Sequence, residues 1–146
     1  MEAKVRTFNN LAHPKLEKTP GGLVPNHWVF GVCNAPRPTP GDFVLAVNPR
    51  SKHEIVRYAG PVPILSLPKT RERAEVTILH LLDTFAKPSP AEPSVPPFAP
   101  WTWSTLGPEM AQAIEDGLRN HGGRPEFCKV GVCTVEEREI LEESRA

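Results

Sequence analysis

Neither sign of charge is in excess in this sequence, since Lys plus Arg and Asp plus Glu both total 17 across 146 residues. The long-range positive field with which proteins meet nucleic acid or anionic membranes is missing, so neither partner is expected. No apolar run reaches the roughly 18 residues that mark a spanning helix, and the opening MEAKVRTFNNLAHPKLEKTPGG has no secretory-signal core. These absences point to an intracellular protein, cytoplasmic or nuclear. Cysteine is scarce: Cys33, Cys128 and Cys133 form an odd set, which suits reduced thiols better than a disulfide framework. Hydrophobic residues make up 39% of the chain, below the usual roughly 45–50%. The glycine pairs Gly21-Gly22 and Gly122-Gly123 lack the surroundings of a phosphate loop and read as turns and stops.

Proline is what the chain has in abundance. Its 18 copies exceed twice the roughly 5% norm, so part of the molecule must be irregular. The length suits one core. Residues 1–26 mix charges with Pro14, Pro20 and Pro25 and read as an irregular tail, in which Val5, Phe8 and Leu11 could make at most a short amphipathic turn. Residues 27–146 form the expected single domain. Within it, His27–Cys33 and Asp42–Asn48 are β-branched and aromatic runs separated by a proline-stiffened loop, and His53–Tyr58 is a plausible third strand. Pro61 and Pro63 demote the following run to an edge or loop, because proline cannot donate to a ladder.

From Thr70 the period changes. Ala74, Ile78, Leu81, Leu82 and Phe85 make one helical stripe, with Thr70 as its expected cap and Pro88 as its stop. A second helix starts at Pro108 and ends at Gly122-Gly123, with Met110, Ala113, Ile114, Leu118 and His121 along its inner face. Phe127–Cys133 reads as a strand. Thr134 and Glu137 have capping-box spacing for a last helix, with Val135, Ile140 and Leu141 inward. The expected fold is therefore α+β: a small, mostly antiparallel sheet packed by about three helices, with a proline-rich connector over 87–100 and the irregular N-terminal tail.

Four groups of residues are candidates for function. In the connector, Lys87, Pro90 and Pro93 have the spacing of an SH3 ligand: prolines three apart share one face of a polyproline II helix, and a cation ahead of them meets an acidic groove. The plainer reading is a semi-rigid spacer. Trp101 and Trp103, two apart, would face one way in an extended segment, either as a shelf for a partner or as core anchors. Cys128, Cys133 and His121 include zinc-type ligands, but their spacing forms no knuckle, and no metal or other cofactor is expected. Cys133 precedes a helix N-terminus, where a thiolate is favoured, so Cys133 with His121 or another histidine is the candidate for catalysis; a packed thiol is the plainer reading.

Trp101-Thr102-Trp103-Ser104-Thr105, then a helix, then Arg124-Pro125-Glu126-Phe127-Cys128-Lys129-Val130-Gly131-Val132, resembles a segment of uncharacterised fungal proteins of the mushroom lineage. The helix ending Leu81-Leu82-Asp83-Thr84-Phe85 and the connector are similar to theirs too, so the likeness spans Phe43 to Glu143. Some of those proteins carry a MYND-type zinc finger elsewhere. This chain has no such cysteine-histidine array, and it has Leu106-Gly107 where the family's acidic residues precede the helix. The resemblance implies a fungal origin and carries no activity with it. The expectation is an interaction module that meets another protein through the connector, with a Cys133 enzyme or a small zinc domain as the alternatives.

Overall fold

The computed structural model describes residues 1–35, 40–51, 56–88 and 93–144. The chain opens with helix α1 (Glu2–Asn9), then a hairpin of β1 (Leu16–Thr19) and β2 (Gly22–Pro25). Strands β3 (His27–Ala35), β4 (Gly41–Val47) and β5 (Val56–Ala59) follow, then helix α2 (Thr70–Phe85). After the connector come β6 (Thr102–Thr105), α3 (Pro108–Asn120), the single-turn α4 (Pro125–Cys128), β7 (Gly131–Val132) and α5 (Val135–Ser144). Among the described residues no helix is long and apolar enough to cross a membrane.

Alternation along β3 and β4 divides their side chains between two faces of one sheet. Trp28, Phe30, Val44 and Ala46 enter the main core with Ile78, Leu82 and Phe85 of α2 and Ile114 and Leu118 of α3. Val29, Leu45 and Val47 face the other way and pack with Leu141 of α5. With both faces covered, the middle strands carry continuous apolar runs, as Phe43 to Val47 show. Gly31 lets α5 settle on the sheet: a Cβ there would lie 3.0 Å from Leu106 and 3.1 Å from Leu141. Gly117 does the same where α3 crosses α2, since its Cβ would lie 2.5 Å from Ile78 Cδ1.

The fold is α+β, as expected, but the sheet is mixed. Its order is β5-β4-β3-β6-β7, with antiparallel pairing of β4 to β5 and β3, and parallel pairing of β6 to β3 and β7. The parallel pairs arise because helices intervene: α2 and the connector bring β6 beside β3, and α3 with α4 brings β7 beside β6. Among the described residues five helices stand where about three were expected. The additions are α1 and α4.

Four further expectations are corrected. Residues 1–26 are not irregular throughout: Val5 and Phe8, one turn apart on α1, are buried in the main core, and β1 and β2 pair from Leu16–Pro25 to Thr19–Gly22. Phe127–Cys133 is no continuous strand, because Pro125 starts a helical turn and only Gly131–Val132 pairs with β6. Val135 is 72% exposed rather than inward, while Leu141 is buried as expected. Of the third expected strand, residues 53–55 lie outside the described residues and Val56–Ala59 is β5. Thr70 is the first residue of α2 rather than its cap, which is Lys69.

Candidate functional site

The connector leaves α2 at a point fixed by Arg57. From β5 this side chain passes into the core, 4% exposed, and its Nη1 donates to the carbonyls of Thr84 and Lys87, each at 2.9 Å. Its guanidinium carbon stands 4.9 Å from the Phe85 ring centroid and 5.5 Å from that of Trp28, within reach of cation–π attraction. The far end of the connector is tied to the first residues of the chain. Ala99 N donates to Ala12 O at 2.8 Å, Asn26 Nδ2 donates to Ala99 O at 2.8 Å, and a His13 ring nitrogen lies 3.0 Å from Pro100 O. Between these ends Lys87, Pro88, Pro93, Ser94 and Pro96 are exposed, and Phe98 is buried. Pro90 lies outside the described residues.

A buried polar frame supports both ends. Asn26 donates to Pro14 O and Ala99 O and accepts from Trp28 Nε1 at 2.9 Å, which satisfies its amide group in the interior. Asn48 donates to Pro25 O and to Glu17 Oε1. Burial pushes the Glu17 carboxyl above its ordinary range, against the opposing bond from Asn48 and the charge of Arg57. Burial likewise lowers Arg57. Both shifts have one cause, the removal of charge from water.

The two indoles form no shared shelf. Trp103 is 5% exposed, stacks on Phe8 with centroids 5.7 Å apart and donates from Nε1 to Phe127 O at 3.1 Å, so it anchors the core. Trp101, ahead of the start of β6, is 39% exposed, lies 4.5 Å from the His13 ring and carries Lys15 Nζ above its face.

The structure disperses the candidate thiols and imidazole. Cys128 lies buried at the end of α4, within 3.4 Å of Gly123 O and 3.3 Å of Arg124 O, and burial raises its thiol above the ordinary value, away from a ready thiolate. Cys133 packs on the other side of the sheet, against the cluster of Val29, Leu45, Val47 and Leu141. His121 caps α3 and pairs with Glu75 of α2 at 2.7 Å. Among the described residues no group of three His, Cys, Asp or Glu side chains is placed to hold a metal ion.

One chemically suggestive chain of groups escaped sequence reasoning. His27 Nδ1 lies 2.7 Å from Thr102 Oγ1 and its Nε2 lies 2.6 Å from Glu137 Oε2, while Glu137 Oε1 accepts from Thr134 N at 2.9 Å. Hydroxyl, imidazole and carboxylate follow one another as in an acyl-transfer relay. The amides beside the hydroxyl are already committed, since Trp101 N and Thr102 N both donate to Asn26 O, and so offer no oxyanion hole. The arrangement staples α5 to β3 and β6. Nothing in the order of His27, Thr102 and Glu137 along the chain could have signalled it, because the parallel register of His27 with Thr102 and the packing of α5 on β3 join them. A groove of about 270 Å³ beside α5 is mostly apolar, with Leu45, Leu106 and Leu141 in its lining and Glu142 at one side. Comparison of the chain with protein-family models, curated proteins and solved structures found no match.

Proposed function

We propose that this chain is a non-enzymatic interaction module of an intracellular fungal protein, offering its proline-rich connector to a proline-recognising domain with an acidic groove. The observation that carries the reading is the tethering of the connector at both ends to a folded frame while Lys87 and Pro93 remain exposed. Fixing the ends removes part of the ordering entropy that a free proline-rich peptide loses on binding. Lys87 supplies the cation and Pro93 one of the prolines of the +xxPxxP spacing. The fungal setting rests on the resemblance of the Trp101–Thr105 and Arg124–Val132 segments.

The test is a set of equilibrium titrations of the full chain against a panel of purified SH3 domains with acidic specificity grooves. At least one domain is expected to bind. Lys87→Glu is expected to weaken that binding by about tenfold, equivalent to about 1.4 kcal/mol, and Pro93→Ala to weaken it as well. Absence of binding across the panel, or equal binding by both variants, refutes the proposal.

A further inference from the structure

We infer that Arg57 is the clasp of the connector: one buried guanidinium that holds both ends of the proline-rich segment and so sets the shape of the two ends from which the segment is presented. At the near end, Nη1 bonds the carbonyls of Thr84 and Lys87. At the far end, the Phe98 ring lies over the same group, 6.0 Å from centroid to guanidinium carbon. Phe98 is itself fixed, because it forms a bridge with Ala12 and the next residue, Ala99, bonds Ala12 and Asn26. Residues 89–92 lie outside the described residues, and the clasp involves only the two ends.

The chemistry suits arginine and no other side chain. A planar cation can bond carbonyls in its plane while stacking aromatic rings on its faces, and Trp28, Phe85 and Phe98 all approach it. Among the described residues its remaining nitrogens, Nε and Nη2, are buried without hydrogen-bond partners, so the carbonyls of the connector end and the rings define its position. Burying a cation with two donors unpaired is costly. A simple spacer between α2 and β6 has no need of such a group. A segment whose two ends must be held in a given shape does.

The inference rests on the proposed function only for the meaning of that shape, and the experiment separates the two. The full chain and its Arg57→Met variant are digested with chymotrypsin under native conditions, following cleavage after Phe98 and after Phe30 in the same samples by mass spectrometry. Both phenylalanines are buried in the native chain. The clasp predicts cleavage after Phe98 at least about tenfold faster in the variant, by the loss of about 1.4 kcal/mol of local protection, with cleavage after Phe30 unchanged. Equal acceleration at both sites, or none, overturns it. Should Arg57→Met fail to fold, Arg57→Lys decides: it keeps the cation over the rings without the planar fork, and Phe98 is again expected to be cut faster than in the native chain, while an unchanged rate overturns the clasp. The affinity of the variant for an SH3 domain that binds the native chain gives the second readout, a weaker affinity being expected and an equal one contradicting the clasp. If no SH3 domain binds the native chain, the ligand reading falls and the digestion still decides on Arg57.

Discussion

Glu17 is a buried carboxyl group of β1 bonded by Asn48, and desolvation holds its pKa above the ordinary value. A carboxyl that is raised on folding binds its proton more tightly in the native state. Stability from this group therefore rises as pH falls through the window just above the usual carboxylate range, and is lost toward neutrality. Asp42 acts with the opposite sign. It accepts from Asn34 Nδ2 at 3.0 Å and from the amides of Ile64 and Leu65, which lower its pKa, so its contribution is present near neutrality and disappears as pH falls through its lowered value. Urea unfolding at a series of pH values checks both. Glu17→Gln is expected to stabilise the protein near neutrality and to flatten the profile above the usual carboxylate range, and Asp42→Asn to flatten it below that range. The Asn26 amide makes three hydrogen bonds in the interior, and Asn26→Ala is expected to cost at least about 2 kcal/mol, because it leaves carbonyl and indole partners unpaired. None of these roles could be read from the sequence, where Glu17 and Asn26 stood in a stretch with few apolar residues. What makes them structural is burial by residues distant in the chain.

Helix α5 shows how far local chemistry could be followed. The Thr134–Glu137 spacing predicted a capping box, and both reciprocal bonds are present, Thr134 N to Glu137 Oε1 at 2.9 Å and Glu137 N to Thr134 Oγ1 at 3.2 Å. Thr134→Ala is expected to cost about 1 kcal/mol in thermal unfolding. The stripe of α2 and the proline start of α3 were legible for the same reason: capping and periodicity are short-range properties. The single turn α4 was not, because the apolar residues Phe127, Val130 and Val132 read the same whether the first part of the run is a strand or a helical turn. The partner of Phe127 decides it, since its carbonyl accepts from the Trp103 indole. Sheet order and the parallel pairs were equally hidden, being set by crossovers rather than by any one strand. At the crossing of α2 and α3, Gly117→Val is expected to destabilise by about 2 kcal/mol, since a branched side chain meets Ile78 in a closed interface; denaturant midpoints check it.

Across the whole molecule, the first 26 residues and the far end of the connector are joined, whereas the sequence alone reads as an irregular tail and a separate semi-rigid spacer. Helix α1 places Phe8 against Trp103 and Phe127, the segment after it gives Ala12 and His13 to the connector end, and the hairpin closes with Asn26 bonded to Ala99. Low local hydrophobicity concealed this, because α1 is stabilised by what it packs on rather than by its own propensity. Phe8→Ala is accordingly expected to cost about 3–5 kcal/mol, the range for a large core ring and unattainable for a residue in a loose tail. The proposed site is visible in the sequence only as the spacing of Lys87, Pro90 and Pro93, of which Pro90 lies outside the described residues. Its support from Arg57 is not, since an arginine in a short apolar run gives no sign of where its head will lie. The central claim, that the connector is presented by this frame for recognition, is tested most directly by mapping backbone amide shifts of the full chain while adding an SH3 domain that binds it. Perturbations centred on residues 87–97, lost in Lys87→Glu, are the predicted result. Perturbations centred on the α5 groove or the hairpin instead, with the connector silent, contradict it.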